Sequence, residues 1–157
     1  MKNIFLLACL ALVFTLTSCS DDETPTGGNV TGTVWSGASL TFTKANGADP
    51  TDPANQDRIT DNVILTRDND GGQIFNVAVE TTDNKNNSPV GTRWALGRTS
   101  NLENLTFSTF RSTIMPRDVV GEDLVLHLVD DDIYLNVKFT SWSSGKQGGF
   151  SYERATE

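Results

Sequence analysis

The sequence predicts an all-β protein: a single antiparallel β-sandwich, or an open barrel, behind a leader and a polar spacer. Three observations carry this. In 133–142 (IYLNVKFTSW), Ile133, Leu135, Val137 and Phe139 alternate with Tyr134, Asn136, Lys138 and Thr140, the period of a strand with one dry face and one wet face. Short apolar runs are separated by clusters of Asp, Asn and Gly, residues that accept turn conformations. No stretch repeats apolar residues at helical spacing, although 100–105 has room for one helical turn.

The strands follow in order. The first is expected over 38–44, with Leu40 and Phe42 inward. Next comes 63–67, then 73–81 with Phe75, Val77 and Val79 on one face. Asp68-Asn69-Asp70-Gly71-Gly72 between them is hairpin chemistry, because these residues tolerate positive φ. The stretches around Trp94 and over 105–110 are weaker candidates. Residues 124–129 (LVLHLV) are apolar on both faces apart from His127, which suits a central strand. Asp130-Asp131-Asp132 turns the chain into 133–142, and residues 144–149 turn it into a last strand over 150–154.

The chain has 157 residues, enough for one core but not two. One His and two Cys are too few for zinc sites of His and Cys, for a disulfide scaffold or for an iron–sulfur cluster. A formal charge of −8 argues against a nucleic-acid partner, which calls for a concentrated basic surface.

The amino-terminal end reads as an address. Lys2 is followed by an apolar run over 4–16, interrupted by Thr15. The run is shorter than the about 20 residues needed to cross a bilayer, and with its charged start it reads as a secretory signal. Leu16-Thr17-Ser18-Cys19 resembles the lipobox of bacterial lipoproteins. The resemblance implies cleavage before Cys19, a diacylglyceryl group on its thiol and an acylated new amino terminus. The expected division is a signal peptide over 1–18, lipidated Cys19 with an acidic, disordered tether over 19–32, and the β-domain over 33–157. Each buried CH₂ contributes about 0.8 kcal/mol and one chain holds only marginally, so several chains would anchor the protein stably. Cys9 leaves with the leader, so no thiol remains for a disulfide. Ser20-Asp21-Asp22-Glu23 resembles the surface-export signal of Bacteroidota lipoproteins, which implies an outer-membrane location facing the cell exterior.

At the other end stand 125–134 (VLHLVDDDIY), Phe139-Thr140-Ser141-Trp142 and 148–154 (GGFSYER). With 55–63 (NQDRITDNV), Thr66 and Arg67, they resemble an uncharacterised β-domain of secreted and lipid-anchored proteins of marine Bacteroidota. The resemblance implies an extracytoplasmic β-domain and brings no catalytic residue with it.

Few residues have the types and spacing that chemistry requires. His127 is the lone histidine, so any Ser–His–Asp scheme must use it. Its place in an apolar strand fits a structural role better, with a ring nitrogen bonded to a neighbouring carbonyl or carboxylate. Ser143-Ser144-Gly145-Lys146 matches a Ser-x-x-Lys pattern by chance, in a turn and without companion motifs. Asp49, Asp52, Asn55, Asp57 and Asp61 gather oxygens in one loop and make calcium the candidate cofactor. Tyr134 and Trp142, with Lys138 between them, are expected on one outward face, where aromatic rings could stack on sugars. Packing beneath a loop or against a second sheet is the competing reading of those rings. Arg93, Arg98, Arg111 and Arg117 make 91–118 locally basic, as solvated charges or as contacts for an anion.

The expectation is therefore a membrane-anchored surface lipoprotein that is not an enzyme. Its β-domain would be a binding or accessory module for extracellular polysaccharide. A subunit docking onto an outer-membrane complex and a small hydrolase are the alternatives.

Overall fold

The computed structural model describes residues 30–87 and 89–157. The expected signal peptide, Cys19 and all but the last three residues of the expected tether lie outside the described residues. Among the described residues no helix is long and apolar enough to cross a membrane.

The fold is an all-β sandwich. Its strands are β1 (Thr33–Trp35), β2 (Ser39–Lys44), β3 (Asp57–Arg58), β4 (Ile64–Arg67), β5 (Ile74–Asn76), β6 (Thr92–Leu96), β7 (Asp123–Leu128), β8 (Ile133–Trp142) and β9 (Phe150–Ala155). The larger sheet runs β2-β9-β8-β7-β6 and the smaller one β3-β4-β5, with every pairing on these paths antiparallel. β1 lies parallel to the start of β8, with Thr33 opposite Ile133.

The alternation in β8 decides which face of the large sheet is dry. Leu135, Val137 and Phe139 point into the core, where Leu124, Leu126 and Leu128 of β7 and Tyr152 of β9 join them. The small sheet closes this face with Leu65 and Ile74, and Val63 joins them from just ahead of β4. Aromatic rings fill much of the space between the sheets: Trp94 lies 4.9 Å from Phe110, and Phe110 5.6 Å from Phe139. Full burial of such a side chain contributes about 1.5–3 kcal/mol. The buried Trp94 indole still needs an acceptor, and Thr92 Oγ1 provides it at 3.0 Å.

The expected strands over 38–44, 63–67, 124–129, 133–142 and 150–154 are present, with ends moved by at most one residue. The one over 73–81 is not. β5 stops at Asn76, whose side chain accepts from the amides of Ile64 and Ala78 and donates to the carbonyls of Asn62 and Val90. An amide that takes over backbone partners in this way competes with the ladder, and Val79 is left 64% exposed in the turn that follows. Leu40, expected inward, is 38% exposed on β2, the outermost strand of its sheet.

Residues 105–110 make no strand either. Only Ser108 bridges, to Trp94, before the chain enters α1 (Phe110–Thr113). The expected helical turn is a 3-10 segment, Thr99–Asn104. It lies over the outer face of the large sheet, where the Thr99 amide donates to Asn136 Oδ1 at 2.9 Å and Asn136 Nδ2 donates to Thr99 Oγ1 at 2.8 Å. This cover explains why Ala95 and Val125 are fully buried although they point away from the main core.

The β4–β5 and β8–β9 hairpins meet at one end of the sandwich. Gly148 (φ +69°) is required there twice over, because a Cβ would fall on the carbonyl oxygen of Asp68 and the backbone is left-handed.

Candidate functional site

A β-bulge decides where Trp142 points. Phe139 pairs with Tyr152, but Ser141 pairs with Ser151, so Thr140 is an extra residue on β8. The bulge inverts the alternation beyond it. Thr140 and Ser141 are both exposed, and Trp142 returns to the side of Phe139. The expectation that Trp142 shares an outward face with Tyr134 and Lys138 is thereby corrected. Trp142 packs on Phe139 at 5.8 Å, on Phe110 at 6.1 Å and on Phe150 at 6.1 Å, and remains only partly buried.

Arg67 lies over the ring, its guanidinium carbon 4.0 Å from the Trp142 ring centroid. Arg67 is 3% exposed. Its Nε donates to Gly72 O at 2.9 Å, and its Nη1 to Ser143 O and Gly149 O, both at 3.0 Å. These bonds tie the β4–β5 hairpin to the β8–β9 hairpin. Burial lowers the Arg67 pKa and the charge of Asp83 raises it, but a guanidinium stays protonated. The cation is thus held by carbonyl oxygens and an indole face, with no carboxylate in an ion pair with it among the described residues.

Trp142 and Arg67 belong to the wall of an open cleft of about 300 Å³. Lys85, Arg111, Met115 and Arg117 are among the other residues that line it. Arg111 comes from α1 and Arg117 from the 3-10 turn Pro116–Asp118. Two of the four arginines of 91–118 therefore converge, together with two cations from elsewhere in the chain. The other two do not join them: Arg98 donates to Asp123 at 2.9 Å, and Arg93 sits on β6 opposite His127.

Tyr134 occupies the opposite face of β8. Its ring stacks on His127 at 4.1 Å with an interplanar angle of 1°, and Phe107 meets both rings edge-on at 5.5 and 5.9 Å. Burial, and secondarily Asp132, raises the Tyr134 pKa. Tyr134 thus packs beside the covering loop rather than standing free for a sugar. His127 Nε2 lies 3.2 Å from Asp132 Oδ1, and among the described residues no serine or threonine hydroxyl is hydrogen-bonded to the ring. Carboxylate bonding was one of the structural partners expected for it.

Lys138 turns to Asp123, at 3.3 Å, beside a second cleft of about 230 Å³ that also contains Arg98 and Glu153. The hydrogen bond from Arg98 holds the Asp123 pKa below the ordinary carboxylate value, with a smaller contribution from Lys138. That is the wrong direction for a general acid, whose pKa must be raised.

The five residues proposed for calcium do not converge. Asp49 Oδ1 accepts from the Thr51 amide and hydroxyl, both at 2.8 Å, and Asp52 caps the 3-10 turn Pro53–Asn55 through the Ala54 amide. Asn55 donates to Asp49 O, and Asp61 pairs with Arg58 at 2.7 Å. Asp57 is buried on Arg154 and Tyr152. Among the described residues no group of three or more His, Cys, Asp or Glu is placed to hold a metal. The oxygens are consumed by turns and ion pairs, the ordinary uses of Asp and Asn in β-loops.

Sequence reasoning missed Arg67 and Lys85 as members of the Trp142 cleft. The available signal was Arg67 itself, a charge closing the otherwise uncharged strand Ile64–Arg67. No protein-family profile, curated protein or solved structure matches this chain.

Proposed function

We propose that this chain is a lipid-anchored surface protein whose β-domain binds an extracellular polysaccharide without catalysing a reaction on it. The observation that supports this reading is the partly buried Trp142, held against Arg67 in the wall of an open cleft. Arg67 covers one face of this indole, and the part of the ring that stays exposed offers apolar area to a sugar while neighbouring polar groups take its hydroxyls. The cleft lies at the lower end of the usual range for ligand pockets, about 300–1,000 Å³. It suits a segment of a polymer better than a whole enclosed molecule. Attachment through Cys19, from the lipobox resemblance, would keep the domain at the outer membrane and turned towards the cell exterior, where such polymers are met.

Calorimetry of the full chain in neutral detergent against soluble neutral and acidic glycans tests the proposal. Binding that weakens in Trp142→Phe, which keeps an aromatic ring in the packing, is the expected result. A flat response of the wild-type chain across the panel removes it. Release of reducing ends on incubation would instead favour the hydrolase.

A further inference from the structure

The cleft has an electrostatic character opposite to that of the chain. The protein carries 12 Lys and Arg against 20 Asp and Glu. Yet Arg67, Lys85, Arg111 and Arg117 line this one cleft, and no Asp or Glu is among its described lining residues. Two acids lie beside these residues without lining the cleft. Asp118 lies 3.7 Å from Arg117 Nε with both side chains well exposed. Asp83 sits against Gly72 with its Oδ2 buried and without a hydrogen bond, and its charge acts on Arg67 from behind the cleft wall, leaving Lys85, Arg111 and Arg117 as the cations free to meet a ligand. Arg67 has three hydrogen bonds through Nε and Nη1, while its Nη2 makes none among the described residues. With Nε and Nη1 occupied, Arg67 has Nη2 alone to offer an oxyanion, and the paired donors that a planar oxyanion accepts from would come from Arg111 and Arg117 with Lys85 beside them. Four like charges around one concavity also focus their field there.

We propose that the polymer taken by this cleft is anionic, bearing carboxylate or sulfate groups that Arg111, Arg117 and Lys85 engage while the exposed part of the Trp142 ring meets the sugar. This rests on the polysaccharide reading of the cleft and specifies its ligand. Self-repulsion among the cations is relieved when an anion enters, which favours charged chains over neutral ones.

The test uses the full chain in neutral detergent, titrated with polygalacturonate, dextran sulfate and neutral dextran. Each titration is done at low salt and at about 0.2 M NaCl, where charges farther apart than a Debye length are screened. The expected result is binding of at least one charged polymer, at least about tenfold tighter than neutral dextran and weaker in salt. Which polymer binds distinguishes carboxylate from sulfate as the group recognised. The double variant Arg111→Gln/Arg117→Gln should lose about tenfold in affinity. Arg58→Gln/Arg93→Gln, which removes two exposed arginines elsewhere, should not. Equal losses in the two double variants would reduce the effect to net charge and overturn the proposal. Neutral dextran binding as tightly as the charged polymers, and sensitive to Trp142→Phe, would overturn the anionic ligand while sustaining the polysaccharide site. Silence with all three polymers would overturn both.

Discussion

Asp57 on the small sheet and Arg154 on the large sheet meet in a two-point ion pair inside the sandwich. Arg154 Nε lies 2.7 Å from Asp57 Oδ2, and Nη2 lies 2.9 Å from Oδ1. Both side chains are 6% exposed, and Tyr152 adds its hydroxyl to Oδ2 at 2.6 Å. The pair joins β3 to β9 across 97 residues of chain, so it acts as a fixed point in the packing of one sheet on the other.

Breaking that pair from one side should be costly, because the surviving charge stays buried. Asp57→Ala is expected to lower stability to urea by about 3–5 kcal/mol. Replacing both partners, as Asp57→Leu/Arg154→Met, should recover most of that loss, since the desolvation of both ions is removed with their attraction. A double variant no more stable than Asp57→Ala would show that the pair is needed for the packing itself.

Tyr152 should respond to alkali only when the domain opens. Its pKa is pushed well above the ordinary tyrosine value of 10.0, first by burial and then by the charge of Asp57 and the hydrogen bond to it. Above pH 10.0 the unfolded chain loses this proton while the folded chain keeps it. The contribution to stability is therefore complete below 10.0 and declines as pH rises through the folded-state value. Absorbance at the tyrosinate band should report one residue, Tyr134, titrating reversibly above 10.0 and the second only with unfolding. Two tyrosines ionising together in a folded domain would contradict the burial of Tyr152.

Lys44 carries the opposite sign. It is 1% exposed, with Nζ donating to Ala48 O at 2.7 Å. Burial lowers its pKa and the nearby Arg67 charge lowers it further, against the smaller opposing pulls of Asp68 and Asp49. The unfolded chain holds the proton up to the ordinary 10.5. Stability due to this residue therefore rises with pH between the lowered folded value and 10.5. Near neutral pH the buried ammonium is a burden, and Lys44→Met should raise stability by about 1 kcal/mol after the lost hydrogen bond is counted. The variant should also lose the rise in stability below 10.5. A loss of stability at pH 7 would show that tying down the 45–48 loop outweighs the buried charge.

These four residues also mark what a sequence can disclose. Alternation made β8 legible, because it has one dry face, and Asp- and Gly-rich turns marked the hairpins and with them β9. Alternation is a local rule, however, and it fails at Thr140, where the pairing with β9 inserts a bulge. Trp142 was legible as a candidate but not its direction. Its companion Arg67 donates hydrogen bonds to carbonyls 76 and 82 residues away. Asp57 looked like a calcium ligand because its loop is acidic, and nothing nearby in sequence announces Arg154. The cover over Tyr134 and His127 comes from the loop after β6, again through contacts that no period encodes.

Asn76 offers the sharpest test of such nonlocal bonding. Its side chain accepts from two amides, Ile64 at 2.9 Å and Ala78 at 3.1 Å, and donates to Asn62 O at 2.8 Å and Val90 O at 2.9 Å. Asn76→Asp keeps the shape but removes the donors, setting a carboxylate against two carbonyl oxygens in a residue that is 1% exposed. Stability at neutral pH should fall by about 3 kcal/mol. The introduced acid should have a raised folded-state pKa, since only its protonated form can donate to a carbonyl. Its penalty relative to wild type should therefore shrink as pH falls through that raised value, and be smallest below the unfolded aspartate value of about 3.9. Urea unfolding of both proteins at each pH separates this from general acid destabilisation. A constant difference across the acid range would mean that the two carbonyls find other donors, and that the amide of Asn76 is dispensable to the turn that ends β5.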